Sequence, residues 1–364
     1  MLEINYSFGD RLLHRLALGS TWVRQISFDL ELYGTDKEEL VPMGQPIFIS
    51  GLPRAGTTIL MRTFYDTGAF RSLTYRDMPF VLMPGIWKRL SRPFHQHGTA
   101  KERAHADGIM VDFDSPEAFE EIFWRTFCVD EYIFRSELRF HHASEEVIEQ
   151  FRKYVKQVVK SADHSDQQRY LSKNNNNILR LDTIRKAFPD ALIIIPFRDP
   201  IQQSFSILQQ HNKTCAMNER AHFTCDYMRW LGHHEFGPAH KPYWFGEEFS
   251  VSASYDTPDN MNYWLAIWIN TYRHLLKSAP ANCLFFSFEE LCHSPKEKLT
   301  DLFALAGLST KFCSLDKKIK PPEIKNVNKV DESLKNQAML IFQDLLKIAH
   351  EFTVPNRQNG EPLS

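Results

Sequence analysis

The hydrophobic positions of the chain fall into two alternating kinds of segment. Short runs of apolar residues rich in β-branched and aromatic side chains are typical of strands buried on both faces of a sheet. Longer segments with apolar residues every three or four positions are typical of helices. The strand-like segments are 47–49, 69–75, 170–173, 191–197 and 281–288. The helix-like segments include 10–34, 59–65, 145–160, 178–188, 262–276, 289–306 and 333–350.

This alternation predicts an α/β fold. Successive strand–helix–strand units form right-handed crossovers, which build parallel sheets covered by helices on both faces. We therefore expect a three-layer domain with a central parallel β-sheet. Hydrophobic residues make up 43% of the 364-residue chain and aromatic residues 13%, which is ample for one large core. Lys and Arg number 43 against 45 Asp and Glu, so any anion site must be local rather than a general polyanion surface.

A glycine-bearing turn, GLPRAGTT at 51–58, joins the first predicted strand to the first predicted helix. Loop N–H groups followed by a helix N-terminus form a cradle for an anion. The turn follows the P-loop pattern G-x4-G-K-[ST], except that Thr57 replaces the lysine and the cation, Arg54, lies inside the loop. A P-loop ATPase needs that lysine on its β- and γ-phosphates. The turn thus predicts a phosphate site poorly suited to ATP hydrolysis, with an ordinary strand–turn–helix corner as the alternative.

Two further cations follow predicted strands. Lys173 ends the strand-like segment 170–173, and Arg198 directly follows the segment 191–197. Ser206 lies eight residues beyond Arg198, about two helical turns on, so both side chains can face the same way. Because the carboxyl ends of parallel strands share one edge of a sheet, we expect these groups to meet the glycine turn there.

Four segments together resemble the sulfotransferase superfamily, whose members use 3′-phosphoadenosine 5′-phosphosulfate as donor. They are GLPRAGTTIL at 51–60, LSKNNNN at 171–177, FRDPIQQSFS at 197–206 and, more weakly, FFSFEEL at 285–291. The resemblance is closest to the branch that includes tyrosylprotein and many bacterial sulfotransferases. It implies a P-loop NTPase-like sulfotransferase fold and transfer of a sulfuryl group to an acceptor hydroxyl or amine.

The resemblance also implies roles for individual residues. Lys173 would contact the bridging oxygen or the transferring sulfuryl group, and Arg54 would stabilise charge during transfer. Arg198 and Ser206 would bind the 3′-phosphate, which distinguishes this donor from ATP. The 5′-phosphosulfate would be held by Arg54, Ala55, Gly56, Thr57 and Thr58.

Two residues are candidates for the general base. In tyrosylprotein-type members an acid at the end of the second strand accepts the acceptor proton, and Asp77 stands at that place here. Cytosolic small-molecule members use a histidine further along the chain, which makes His105 the second candidate. We favour Asp77, although the family acid is often glutamate.

No metal site is expected. Histidine and aspartate cluster in 94–116, and cysteine and histidine in 211–250, but neither spacing matches a known ligand pattern. Within the first cluster, Ser115 and Pro116 are predicted to cap and begin a helix. The sequence offers no clear magnesium set either, and sulfuryl transfer needs none to neutralise a triphosphate.

The whole chain, 1–364, is predicted to be a single sulfotransferase domain. Its core is expected at 46–310, with an aromatic-rich insert that walls the acceptor pocket at 211–250. At 311–332 a solvated lysine-rich loop is expected, with a flap over the nucleotide as the alternative, and a disordered tail is expected at 356–364.

The N-terminus shows no signal peptide, no run is long enough to span a bilayer, and six scattered cysteines suit reduced thiols. These features predict a cytoplasmic protein that binds no nucleic acid. The acceptor is left open between a glycan, a lipid and a small molecule, and so is homo-oligomer formation. The rival functions are a P-loop nucleotide kinase or other phosphotransferase and a non-catalytic nucleotide-binding module.

Overall fold

The computed structural model describes residues 8–34, 43–92, 101–102, 110–111, 115–164, 168–218, 222–247, 257–281, 283–309 and 330–353. Their strands are β1 (Gly44–Ile49), β2 (Phe70–Arg71), β3 (Lys101–Glu102), β4 (Met110–Val111), β5 (Leu138–Arg139), β6 (Arg169–Lys173), β7 (Leu192–Phe197), β8 (Tyr243–Trp244) and β9 (Cys283–Ser287). Their α-helices are α1 (Phe8–Gly19), α2 (Thr21–Tyr33), α3 (Thr57–Tyr65), α4 (Pro84–Ser91), α5 (Glu121–Phe127), α6 (Val129–Tyr132), α7 (Glu145–Lys160), α8 (Leu181–Ala187), α9 (Pro200–Asn218), α10 (His222–Trp230), α11 (Met261–Ser278), α12 (Phe288–His293), α13 (Pro295–Leu305) and α14 (Glu332–Thr353).

The main sheet of the described residues has five strands in the order β2–β6–β1–β7–β9, and every neighbouring pair is parallel. The central strand β1 pairs through Ile49 with Lys173 of β6 and with Ile194 of β7. Strands β1 and β6 therefore end level, and β7 continues three residues further at the same edge of the sheet, to Phe197. This confirms the predicted α/β fold with a central parallel sheet flanked by helices.

Alternate residues of the central strands enter two separate cores. Phe48 packs into the larger core with α7 and α11, whereas Ile47 and Ile49 pack into a smaller core with α3 and α13. In β7, Ile193 and Ile195 likewise belong to the larger core. Because both faces of these strands are buried, their sequences read as continuous apolar runs rather than as an alternation.

Several predicted boundaries were wrong. The segment 10–34 forms two helices, because Ser20 accepts a hydrogen bond from the Val23 amide and caps a new helix. The segment 69–75 contributes only the two residues of β2 to the sheet. Pro116 does not begin a helix: it bridges Thr74, and α5 starts later. The segment 289–306 is likewise two helices, α12 and α13, the second of which begins at a proline.

Some predictions lie outside the described residues. They are the second candidate base His105, nearly all of the flap at 311–332, and the tail at 356–364. Among the described helices, none has the length and apolar character needed to cross a membrane. Cys128, Cys283 and Cys292 are free thiols.

Candidate active site

The glycine turn lies between the central strand β1 and helix α3. Two of its residues adopt left-handed backbone conformations, Arg54 with φ of 70° and Gly56 with φ of 87°. A Cβ on Gly56 would lie 2.5 Å from the Phe288 ring, so glycine is required there by space as well as by conformation. Helix α3 begins at Thr57, and the turn therefore presents a helix N-terminus at the edge of the sheet.

Helix α9 holds the turn in place. The Arg54 Nε donates a hydrogen bond of 3.1 Å to the Ser206 Oγ. Gln203 is fully buried, and its amide nitrogen donates to the carbonyl oxygens of Leu52 and Pro53 at 3.4 and 3.0 Å. The Trp268 Nε1 donates to the other end of the same amide at 3.0 Å. The position of the turn thus depends on a glutamine that the sequence reasoning missed, because its partners are backbone carbonyls about 150 residues away.

Arg198 follows β7 and lies beside the turn. Its side chain is 7% exposed, with its guanidinium 5.7 Å from the centre of the Phe288 ring, the same ring that abuts Gly56. Burial lowers its pKa, Glu289 opposes that effect, and repulsion from Arg54 lowers the pKa further. The buried Nε donates no hydrogen bond to any described residue. Two neighbouring guanidinium groups, one with an unsatisfied donor, are the arrangement that a bound anion would stabilise.

Lys173, at the end of β6, lies between two carboxylates. Its Nζ is 3.8 Å from the Glu117 Oε1, and both side chains are about 7% exposed. On its other side is Glu235, which is also buried. Lys173 interacts with Glu235 through charge alone: although burial opposes ionisation of Glu235, His233 and Lys173 hold its pKa well below its usual range. The lysine is therefore fixed at the edge of the sheet by charges from two different parts of the chain.

The asparagine turn after Lys173 anchors that strand end. Each of its four side-chain amides bonds to a different partner, because a turn between a strand and a helix leaves all four free to point outward from the backbone. The amide nitrogens of Asn174, Asn175, Asn176 and Asn177 donate to Glu121, Glu235, the Gly232 carbonyl and Glu120 respectively, at 2.7 to 3.1 Å. All four residues are buried. The sequence showed the turn but not this role.

Asp77, the predicted general base, has both carboxylate oxygens in hydrogen bonds with residues near β2. One carboxylate oxygen accepts from the Arg71 Nη2 at 2.5 Å, and the other accepts from the Thr74 amide at 2.7 Å and hydroxyl at 3.3 Å. The side chain is 5% exposed. For Asp77 to accept a proton from an acceptor, one of these contacts would have to be replaced by the acceptor hydroxyl.

Glu117 is the carboxylate that the structure places beside Lys173. Its backbone amide donates to the Leu73 carbonyl, which attaches it to the segment that follows β2. The sequence reasoning counted Glu117 as an acid in the first turn of a helix, because it follows Ser115 and Pro116. Its true position comes from the bridge between Thr74 and Pro116, which local sequence does not reveal.

Part of the predicted insert lies against the glycine turn. Leu52 and Pro53 border a narrow space shared with Ile207 of α9, with the segment 235–243 and with Trp264 and Ile267 of α11. This space is lined mainly by apolar and aromatic side chains, with Glu235, His240 and Lys241 as its polar members. Its volume is only about 10 Å³, so the segment and the turn are in close contact here and are not separated by a pocket of ligand size.

Within the described residues, three possible metal ligands approach one another at a single place, Cys128, Glu131 and His141. The His141 Nδ1 lies 3.4 Å from the Glu131 Oε2, and its other ring nitrogen, Nε2, accepts a hydrogen bond of 3.1 Å from the Arg180 Nε, whose fixed positive charge opposes a cation bound nearby. Burial also raises the pKa of Cys128 to about 12, which keeps the thiol protonated. The chemistry of this cluster does not fit a metal ion.

Comparison with known proteins identifies the class to which this fold and edge site belong. Residues 46–240, more than half of the chain, match the Sulfotransferase family. The chain therefore belongs to the sulfotransferase family, as its sequence motifs indicated, and the family supports sulfotransfer as its class of reaction. No curated protein sequence matches the chain significantly.

Solved structures agree on the fold. Sulfotransferase STF1 from Mycobacterium tuberculosis H37Rv is 14% identical with a TM-score of 0.50, and the match covers 92% of this chain and 87% of that one. Sulfotransferase STF9 from Mycobacterium avium is 14% identical with a TM-score of 0.50, over 95% of this chain and 85% of that one. At this identity the likeness shows the fold, and the roles of individual residues rest on the geometry above.

Proposed function

We propose that this sulfotransferase takes its sulfuryl group from 3′-phosphoadenosine 5′-phosphosulfate and transfers it to a hydroxyl or amine of its acceptor. The observation that carries the proposal is the position of two guanidinium groups, the buried Arg198 and the half-buried Arg54, beside the glycine turn and the N-terminus of α3. The buried Nε of Arg198 donates no hydrogen bond to any described residue, so it can donate one to a bound anion. These groups fit a ligand that carries separate anionic groups, as this donor does.

The donor supplies an activated sulfuryl group on a phosphate leaving group. We assign its 5′-phosphosulfate to the loop amides and side chains of residues 54–58, that is, to Arg54, Ala55, Gly56, Thr57 and Thr58. Arg198 is assigned to the 3′-phosphate. Ser206, which accepts a hydrogen bond from Arg54, joins the two ends of the site. Glycine at 56 lets the backbone approach the anion closely.

Lys173 and Glu117 are the proposed catalytic pair. Lys173 supplies a fixed positive charge where negative charge develops on the sulfuryl oxygens and leaving phosphate. Glu117, whose Oε1 lies 3.8 Å from the Lys173 Nζ and accepts a hydrogen bond from the Ala118 amide, is proposed as the general base for the acceptor hydroxyl, with Asp77 as the alternative. His105 remains a prediction for the same role. The base accepts the proton as the acceptor oxygen attacks sulfur and the phosphate departs.

The rest of the chain is proposed to complete one domain around this site. The segment 211–250 would wall the acceptor pocket, and 311–332 would cover the nucleotide. An aromatic wall suits a carbohydrate ring, a lipid or a small aromatic molecule equally, so the acceptor is proposed only as one of these classes.

Calorimetry with the desulfated nucleotide, 3′-phosphoadenosine 5′-phosphate, tests the donor site. We expect binding by the wild type, with roughly 10- to 100-fold weaker binding by Arg54→Ala and by Arg198→Ala, since each removes a charge-assisted contact. Arg185→Ala, which alters an exposed arginine on α8, is the matched control and should bind normally. Adenosine 5′-phosphate should bind to the wild type more weakly than 3′-phosphoadenosine 5′-phosphate does. Its affinity for Arg198→Ala should be no lower than its affinity for the wild type.

Incubation with the donor and a panel of glycans, lipids and phenols, read by mass spectrometry, tests transfer. A mass increase of one sulfuryl group on an acceptor supports the proposal. Phosphoryl transfer from ATP that requires Mg²⁺ would instead identify a kinase. Tight binding of the nucleotide without turnover on any acceptor would identify a non-catalytic nucleotide-binding module.

A further inference from the structure

Helix α2 buries polar side chains and exposes apolar ones, which is the reverse of the usual arrangement in a helix at a water-exposed surface. Its inner face buries Arg24, Ser27 and Glu31 together with Phe28. The buried charges are satisfied: Arg24 donates to the Thr126 hydroxyl and to the Leu18 carbonyl, and Glu31 accepts from two amides of α4. Its outer face exposes Trp22 (76%), Ile26 (52%), Leu30 (53%) and Tyr33 (95%).

The neighbouring helices extend this exposed apolar face. Leu12, Leu13 and Leu16 of α1 and Leu90 of α4 are also exposed. Among the described residues ten large hydrophobic side chains are exposed, and eight of them lie on these three helices, which we call the α1–α2–α4 surface. Single exposed apolar residues are ordinary, but concentration on one part of a molecule marks a surface that binds something apolar.

A positively charged cavity lies at the border of this surface. The cavity has a volume of about 590 Å³ between α2, α4 and α7. Its carboxylates are engaged, Glu31 by the N-terminus of α4 and Asp163 by Lys88 at 2.7 Å. Four basic side chains against these two acids leave an excess of positive charge, and they are Lys88, Arg89, Arg92 and Lys160.

The charges of the apolar helices themselves balance. On the exposed face of α1 and α2, Arg11 and Arg15 accompany Asp10 and Asp29. The positive excess of this region therefore lies at the cavity, beside the apolar side chains and not among them. An apolar stripe with cations along its border is the arrangement by which amphipathic helices lie in the interface of anionic membranes.

We propose that the α1–α2–α4 surface docks this protein on a lipid bilayer with anionic headgroups. Ile26 and Leu30 enter the acyl boundary, while Trp22 and Tyr33 at the two ends of α2 lie at headgroup level, where amphipathic aromatic rings are favoured. The cations of the cavity bind headgroup phosphates. A second copy of the chain fits less well, because a two-fold interface would bring two cation-lined cavities into one contact.

Co-sedimentation of the full chain with vesicles tests the proposal. One set contains phosphatidylcholine alone, and the other contains phosphatidylcholine mixed with phosphatidylglycerol. We expect binding to the mixed vesicles, weakened by high salt because the headgroup attraction is screened. The double variant Ile26→Asp/Leu30→Asp should bind about tenfold more weakly or worse, since two charges would have to enter the acyl boundary.

The other variants separate the two parts of the surface. Arg89→Ala/Arg92→Ala should lose the preference for anionic lipid, by roughly fivefold for each residue removed. Leu340→Asp places the same charge at an exposed leucine of α14 and is the matched control, which should bind as the wild type does. All of these sites are solvent-exposed or line an open cavity, and circular dichroism verifies that each variant is folded.

Three outcomes would overturn the proposal. They are failure of the wild type to bind mixed vesicles, equal binding by Ile26→Asp/Leu30→Asp, and a dimer in sedimentation velocity that this double variant converts to monomers. The last would assign the surface to a second copy. Donor binding measured in solution should be the same in all variants, so failure here is distinct from failure of the proposed catalytic function.

Discussion

Two groups of buried arginine in this protein have opposite electrostatic surroundings. Arg180, behind the asparagine turn, is fully buried and forms an ion pair with Glu121, 2.9 Å between Nη1 and Oε2. Although burial opposes its charge, Glu121 raises its pKa. Arg198, at the edge of the sheet, is nearly as buried, yet its pKa is lowered and its Nε has no partner among the described residues.

The difference distinguishes two kinds of cation: those that stabilise the fold through an ion pair, and those whose charge would be neutralised by a bound ligand. A buried charge without a partner is expensive, so a protein retains one only where something else supplies the opposite charge. Arg71 with Asp77 belongs to the first kind, because both side chains are committed to each other. Arg198 belongs to the second kind in our proposal, since Glu289 offsets only part of the effect of its burial. Lys173 lies between the two, with Glu117 near but not in hydrogen-bond contact.

The largest expected effect concerns the carboxylate beside Lys173. Glu117→Gln should lower kcat about 10²- to 10⁴-fold, because the acceptor loses its general base, while the affinity for the desulfated nucleotide stays within about twofold. Steady-state kinetics and calorimetry measure the two quantities. The matched variant Asp77→Asn should lower the melting temperature and leave kcat of the folded enzyme nearly unchanged. A large loss of kcat in Asp77→Asn, with nearly unchanged kcat in Glu117→Gln, would identify Asp77 as the general base.

The next largest effect is expected on stability, for Arg180, which forms a buried ion pair with Glu121. Arg180→Met should lower the free energy of unfolding by about 3–5 kcal/mol, because Glu121 would be left as an unpaired buried charge. Urea denaturation measures this change. Arg185→Met, at an exposed position on the next helix, should stay within about 0.5 kcal/mol of the wild type. A similar small change for Arg180→Met would show that Glu121 does not need its partner.

A smaller effect depends on pH. His141 accepts a hydrogen bond from Arg180, and burial followed by repulsion from Arg180 lowers its pKa from 6.5 to about 2. Because its folded pKa lies below its unfolded one, the unfolded chain binds one more proton between these values. The stability that neutral His141 contributes is complete above pH 6.5 and is lost as the pH falls towards 2.

The measurement is urea denaturation at several pH values below 6.5. In His141→Gln, whose amide oxygen can still accept from Arg180, the slope of unfolding free energy against pH should fall by up to about 1.4 kcal/mol per pH unit. His350→Gln alters an exposed histidine of α14 and should leave the slope unchanged. An unchanged slope in His141→Gln would contradict the assignment of His141 as the neutral partner.

The smallest effect is expected for Arg198. Without nucleotide, Arg198→Met should change the free energy of unfolding by less than about 1 kcal/mol, in either direction, because the arginine has no described hydrogen-bond partner at Nε to lose. Thermal denaturation with and without the desulfated nucleotide measures this. The nucleotide should stabilise the wild type and not the variant. A loss as large as that of Arg180→Met would place Arg198 among the structural cations.

The contact between the glycine turn and helix α9 shows which features of the site local sequence patterns can predict and which they cannot. The sequence predicted that Arg54, Arg198 and Ser206 share one edge, because parallel strands end level and a crossover helix returns over them. It did not predict Gln203, whose two backbone partners become neighbours only after β1 and α9 are packed. It placed Asp77 after a strand but did not predict the contacts of its carboxylate with Arg71 and Thr74, which form only when the chain is folded.

The sequence by itself determined the α/β class, the glycine turn, the strand ends and the sulfotransferase family, because apolar periodicity, glycine geometry and motif spacing are properties of neighbouring residues. The tertiary structure decided which buried charges face each other: Glu117 with Lys173, Arg71 with Asp77, and Arg198 beside Arg54. It also decided that α2 would turn its apolar stripe outward. Charges interact across distances set by packing, and packing joins residues that lie far apart along the chain.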